Sequence, residues 1–366
     1  MKFTCERSFL LKEIAIAQEI ISSKNVISIY SNVYLEAKDD TLLIKATDTK
    51  VNFETKVPVI VEEAGSITVF GEKFLGILNS SPDGELIFEQ KDSKIFIKST
   101  VKRANWQLKS IASEKFPEFA VSTAEFFDLP IRDFKDMVDQ TIFAVSDDET
   151  RYFMNGVFFE KAEDKIIMVA TDGRRLAYIS KPASPSVKDF SGIIIPPKIL
   201  NILTKRAGEE GSVSISVTDK TIFIRFGSYD LSSVLLEGQF PNYRRVIPEN
   251  LENSFSVNRQ ETLDALRRVS LLVEQKSRRV YMGLTPGSMA VYSEDSELGT
   301  AREEISCKYD GPELAIALNY HYIEEPFKAM GEEEISIKFG DPTKAITVQP
   351  VPERDLFHII MPMQLD

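Results

Sequence analysis

Few side chains in this chain are suited to chemistry. There are two cysteines, Cys5 and Cys307, and two histidines, His321 and His358. The cysteines stand 302 positions apart (307 − 5) and cannot supply a disulfide framework or a multi-cysteine zinc site, which points to a reducing compartment. Two histidines leave little material for a Ser/His/Asp triad or a His-rich metal centre. Neither GxGxxG nor GxxxxGK occurs, so no phosphate-cradling loop is expected. What remains is a carboxylate, Asp172 in the run Thr171-Asp172-Gly173, with Cys307 or His321 as a conceivable second group for acid–base work. Its setting argues against that use. Asp172 closes a segment repeated elsewhere in the chain, and a catalytic carboxylate has no reason to be echoed, whereas a structural turn does. A non-catalytic protein needing no metal and no cofactor is the expectation.

The elements that carry Asp172 recur three times. Asn32–Asp48 reads NVYLEAKDDTLLIKATD, Asn155–Asp172 reads NGVFFEKAEDKIIMVATD, and Arg279–Asp295 reads RVYMGLTPGSMAVYSED. Each is a strand, a polar turn and a second strand ending in acid. The closing aspartates are 124 (172 − 48) and 123 (295 − 172) residues apart, the size of a small domain. KFLGIL from Lys73, KILNIL from Lys198 and, more loosely, HYIEEPFKAM from His321 keep a helical spacing of three and four. KIFIKS from Lys94, TIFIRF from Thr221 and KAITVQ from Lys344 alternate as strands do. Helical patterns open each unit, through Phe9, Leu10, Leu11 and Ile14, then Phe134, Met137, Val138 and Ile142, then Leu263, Leu266 and Val269. The spacing predicts an α+β protein of three repeated domains, 1–124, 125–252 and 253–366. Each would pack two helices on antiparallel sheets, abutting without a Pro/Gly/Ser linker.

The 366 residues carry 44 Lys and Arg against 56 Asp and Glu, a net charge of −12, and 43% are hydrophobic. A large core is affordable, disorder is not expected, and a protein that coats nucleic acid through bulk positive charge is disfavoured. No apolar run approaches the roughly 18 residues that span a bilayer, so a protein without a membrane partner, soluble and cytoplasmic, is expected.

Four stretches carry a specific resemblance: the opening MKFTCERSFLLK, ATDGRRLAY at Ala170–Tyr178, GQFPNYRRVIP at Gly238–Pro248, and the closing IIMPMQLD. Together they resemble the bacterial DNA polymerase III beta subunits, the replicative sliding clamps, over essentially the whole chain. The resemblance implies a head-to-tail homodimer whose six similar domains form a ring around duplex DNA, recognised without regard to sequence. It also implies partners that dock by short peptides: the DNA polymerase III alpha subunit, the clamp loader, and other polymerases and repair proteins. Size arithmetic agrees. A domain of about 122 residues (366/3) is roughly 35 Å across. Three such spheres in contact leave a hole of about 5 Å, and six in a hexagon leave about 35 Å, wide enough for a hydrated duplex.

The same resemblance assigns residues. Arg151 and Phe153 match positions near the DNA path, Phe153 replacing a tyrosine common there, with Tyr152 between them offering stacking surface. By their own charge, Lys24 in the polar stretch 22–25 would reach phosphate from a loop and Lys198 would line the hole. Lys205, Arg206 and the arginines of 259–268 could add basic charge to the hole. The peptide pocket takes Met154, Thr171, Gly173, Arg174, Arg175 and Leu176 from the middle copy, with Pro241, Arg245 and Val246. From the last copy it takes Asn319, Tyr322, Ile359, Met361, Pro362 and Met363. Arg174 stands where a histidine is common, Gln364 where an arginine is common, and Asp366 extends the tail. The seam needs two unlike surfaces, one from each end of the chain: Trp106 and Leu108 beside Lys102 and Arg103, against Leu271 and Leu272 beside Glu303 and Glu304. Two other classes stand beside the clamp reading: an enzyme built on Asp172, and a monomeric peptide-binding scaffold that native mass would reveal.

Overall fold

The computed structural model describes residues 1–21, 28–185, 187, 189–295, 297 and 299–364. Lys24 and Asp366 lie outside them. Each repeat is a hairpin. Asn32–Lys38 pairs with Thr41–Thr47, Val157–Ala162 with Lys165–Thr171, and Arg279–Thr285 with Ser288–Tyr292, all antiparallel. The first turns on Asp39 and Asp40, both left-handed at φ 50° and 52°. Such a two-residue turn matches the twist of the strands it joins.

Six α-helices occur among the described residues: α1 (Arg7–Ile20), α2 (Gly71–Ser80), α3 (Ile131–Asp139), α4 (Pro197–Arg206), α5 (Arg259–Val269) and α6 (Tyr320–Ala329). Leu10, Ile14, Ala17 and Ile20 bury one stripe of α1, the spacing that drives an amphipathic helix onto a sheet. Asn258 caps α5 by accepting from the Glu261 N–H, and Asn319 caps α6 by accepting from the His321 N–H. The helical pattern read through Ile142 stops earlier. The Thr141 hydroxyl donates back to the Met137 carbonyl, and Ile142 belongs to a separate 3₁₀ turn, Ile142–Ala144. Each helical start is preceded by a short strand, Lys2–Glu6, Phe127–Pro130 or Asn253–Asn258, too brief for periodicity to reveal.

The chain divides into two compact units. Met1–Arg132 with Lys198–Leu235 builds a thirteen-stranded sheet, and Asp133–Pro197 with Leu236–Asp366 a twelve-stranded one. In the first unit Tyr229–Val234 of the middle repeat pairs with Val51–Pro58 of the first. In the second, Arg175–Pro182 of the middle repeat pairs with Leu356–Ile360 of the last. The middle repeat therefore gives strands to both sheets. No helix among the described residues is long and apolar enough to cross a membrane.

Candidate functional site

Asp172 is a turn-former. Its Oδ1 accepts the backbone N–H of Arg174 at 2.8 Å and of Arg175 at 3.1 Å, and its Oδ2 takes Nε of Arg175 at 3.1 Å. Asp48 does the same in the first repeat: Oδ1 accepts from Lys50 and Val51 at 2.9 and 2.7 Å, and Oδ2 from Lys198 Nζ at 2.5 Å. Burial alone would raise the Asp48 carboxyl, but the bonds from Lys198, Val51 and Lys50 outweigh it and hold the group below the usual carboxylate range. In the first and middle repeats this aspartate is thus kept for the turn it stabilises. Both cysteine thiols are inert. Burial pushes the Cys5 thiol up to about 12 and the Cys307 thiol to about 11, far from a reactive thiolate. His358 is fully buried, and no group of three or more metal-ligating side chains occurs among the described residues.

The hairpin turn at 172–174 forms one wall of an apolar cavity of about 170 Å³. Met154, Thr171, Gly173, Arg174, Arg175 and Leu176 line it from the middle repeat. Pro241, Asn242, Tyr243 and Val246 line a second side, and Ile359 and Met361 come from the C-terminal strand and the tail after it. Its base is continuous with a core of Ile167, Val169, Tyr178, Ile194 and Phe240, where Phe158 stacks on Phe240 at 4.8 Å. Gly173 is required by its φ of +88°; a Cβ there would meet only the end of the flexible Arg151 side chain, which can move aside. The Thr171 hydroxyl donates to the Arg175 carbonyl and accepts the Gly173 N–H, fixing the turn. Asn242 and Tyr243 were not foreseen, although they sit inside the GQFPNYRRVIP run. Tyr243 is buried, and its hydroxyl donates to Glu160 at 2.6 Å.

Five expected wall residues lie elsewhere. Arg245 is exposed in the turn Tyr243–Val246, and Asn319 is spent on capping α6. Pro362 and Met363 follow Met361 without lining the cavity, the Met363 N–H being held by the Ala317 carbonyl at 2.8 Å. Tyr322 lies in an adjoining cleft of about 440 Å³ that shares Arg174 and Arg175 with the apolar cavity. Arg175 is a strut between the two. Its guanidinium donates to Asp172, to Glu325 and, at 2.6 Å, to the Phe143 carbonyl, and it lies 4.7 Å from the centre of the Tyr322 ring.

Models of the DNA polymerase III beta subunit match three consecutive stretches: its N-terminal domain at residues 1–120, its central domain at 128–242 and its C-terminal domain at 244–364. The chain belongs to the DNA polymerase III beta subunit family. It is 46% identical over 375 residues to the beta sliding clamp of Treponema pallidum and 26% identical over 369 residues to that of Escherichia coli K12, covering all of both chains in each comparison. Among solved structures it is similar to the DNA polymerase III subunit beta of Pseudomonas aeruginosa, at 27% identity and a TM-score of 0.90. It is also similar to the sliding clamp of Bartonella birtlesii bound to griselimycin, at 29% and 0.93, with full coverage of all chains in both cases. The three repeats are the three clamp domains of this family, and its members are processivity factors, not enzymes.

The residues expected along the DNA path and at the seam fall as follows. Lys198 is half-buried, its ammonium held by Asp48 and, at 2.7 Å, by the Ile20 carbonyl. Lys205 pairs with Glu19, and Arg206 donates to the Lys12 carbonyl. Arg151 pairs with Asp148 at 2.9 Å against Gly173, while Phe153 packs on the apolar core beneath the cavity. Tyr152 is exposed. Trp106 and Leu108 are partly exposed on the strand Asn105–Ile111, with Lys102 and Arg103 exposed just before it. Leu271 is 77% exposed at the end of α5, and Leu272 is partly exposed beside it. Glu303 is taken by both guanidinium arms of Arg268, at 2.7 and 2.5 Å, and Glu304 by Arg302.

Proposed function

We propose that this chain works as a DNA sliding clamp: a head-to-tail homodimer that closes around duplex DNA and tethers the replicative polymerase by docking its peptides in the cavity of Met154, Leu176, Val246, Ile359 and Met361. The observation that carries this is the apolar cavity at the C-terminal tail of a chain whose whole length matches the beta subunit family. A pocket walled by Met, Leu, Val and Ile, rimmed by arginine and built on a rigid turn, suits an extended peptide with two or three apolar side chains. Burying these at about 1.5–3 kcal/mol each, less the ordering cost, corresponds to about micromolar affinity, weak enough for partners to exchange. That the Bartonella clamp is bound to griselimycin supports a ligand site of this kind.

The proposed partners are the polymerase alpha subunit, the clamp loader, and other polymerases and repair proteins that carry such peptides, all in the cytoplasm. The boundaries 1–124, 125–252 and 253–366 are proposed as the three clamp domains of the ring. Encirclement explains how a chain of net charge −12 can serve on DNA. Topology holds the duplex, and tight phosphate contacts would slow sliding. Arg151, Tyr152, Lys198 and Lys24 are proposed to lie along the DNA path, with Arg151 and Lys198 partly neutralised by their own carboxylates. The test is retention on circular DNA after loading with loader and ATP. Linearising the circle should release the protein; tight, loader-independent binding to a short open duplex at physiological salt would overturn the reading.

A further inference from the structure

We propose that the cleft beside the apolar cavity is a carboxylate subsite, in which Arg174 and Arg278 receive an acidic side chain flanking the apolar anchor of a docked peptide. This rests on the peptide-docking reading of the neighbouring cavity. The two spaces share Arg174 and Arg175 as a common wall, so a peptide leaving the apolar cavity on that side enters the cleft. Charge accounting then selects the receiving groups. Of the four arginines lining the cleft, Arg175 is saturated by Asp172, Glu325 and the Phe143 carbonyl, and Arg151 is paired with Asp148. Arg174 and Arg278 are exposed and have no ion pair among the described residues, and Asp147 is the one lining acid outside those pairs. With Asp147, Asp148, Asp172 and Glu325 set against the four arginines the cleft is neutral (4 − 4) on a chain of net charge −12, and its two arginines without an ion pair are the groups placed to meet an anion.

Both arginines also stand on fixed backbone. The Arg174 N–H donates to Asp172 and its carbonyl accepts from Met361. Arg278, left-handed at φ 52°, donates its N–H to the Glu274 carbonyl and accepts the Tyr320 N–H at its own. Anchored stems lower the ordering cost of a charge contact and give the fork a defined reach. DNA phosphate is the other polyanion at hand, but the shared wall with an apolar cavity favours a peptide.

The test uses fluorescence anisotropy with two short labelled peptides of identical apolar residues, one flanked by Glu and one by Gln at the same position. The Glu peptide should bind the full-length protein about fivefold more tightly at low salt, and the advantage should collapse near 0.5 M salt. Arg278→Gln, remote from the apolar cavity, should shrink the Glu/Gln ratio while Gln-peptide affinity stays within about twofold. In Arg174→Gln the ratio alone is read, and the double variant should bring it to about one. No preference in the wild type, or a preference that survives the double variant, overturns the subsite while leaving peptide docking intact. Unchanged ratios combined with lost retention on circular DNA would make these arginines phosphate contacts and also overturn it. Failure of both peptides to bind the wild type would sink the docking reading itself.

Discussion

Arg175 shows how a motif can name the right residue and hide its work. Its place in ATDGRRL marks it as a pocket wall, yet three acceptors and an aromatic face hold its guanidinium inside the second unit. Removing it leaves the Glu325 and Asp172 carboxylates without their cation. Arg175→Gln is therefore expected to cost about 2–4 kcal/mol of stability, seen as a lowered melting temperature of this unit before any peptide is added. A variant as stable as the wild type would show that the network contributes nothing. His358 makes a second prediction. Burial, with Arg354 and Arg175 adding to it, lowers its pKa to about 3, and neither ring nitrogen finds a hydrogen-bond partner among the described residues. The unfolded chain takes up this proton near pH 6.5 and the folded chain does not. Stability should therefore fall as pH drops below about 6.5 by up to about 1.4 kcal/mol per unit, until the folded state titrates, and be unaffected above pH 7. His358→Leu should flatten the slope of melting temperature against pH between about 7 and 5; an unchanged slope would assign the acid sensitivity elsewhere.

Among elements, the hairpins and helices were legible because their signals are local. Alternation gave Asn32–Lys38 with Thr41–Thr47, and three–four spacing gave α2 and α4. What the sequence hides is lateral pairing. Nothing within Tyr229–Val234 or Arg175–Pro182 announces that each extends a sheet with a strand more than 170 residues away, since such pairing depends on edge geometry rather than periodicity. The cavity inherits that limit. Its hairpin and tail could be named from motifs, while Tyr243 enters because its ring closes the core and its hydroxyl reaches Glu160. The tail is a separable element. Leu356–Ile360 is paired on both sides, whereas Met361 and Met363 are held by one backbone N–H each, to Arg174 and Ala317. Deleting 361–366 should thus cost little melting temperature, about 1 kcal/mol or less for each lost bond. It should abolish binding of polymerase-derived peptides, since Met361 walls the cavity. A truncated protein that folds and binds such peptides as before would refute the tail's assignment.

At the scale of the whole molecule the seam decides whether there is a ring. A head-to-tail contact joins two different surfaces, and if it closes after two chains it leaves no free end. The structure weights those surfaces unequally. Glu303 is already engaged by Arg268 and Glu304 by Arg302, so a basic partner at Lys102 and Arg103 would have to compete with pairs already made. The apolar members carry no such debt: Leu271 is 77% exposed, an unusual state for a leucine at a helix end, and Trp106 and Leu108 are partly exposed on their strand. Dimer affinity should therefore come mainly from burying Leu271 and Leu272 against Trp106 and Leu108 of a second copy, and should vary little with salt. Replacing both leucines by Ala should cost several kcal/mol of association, roughly 2 kcal/mol or more for each fully buried side chain. Because Leu271 is exposed in the single chain, the monomer itself should stay folded. Sedimentation at micromolar concentration should then show a folded monomer for the double variant and a dimer for the wild type. The wild-type dimer should persist from low to high salt, whereas dissociation by salt alone would return the seam to its charged residues. A double variant that remains dimeric would move the seam away from the end of α5.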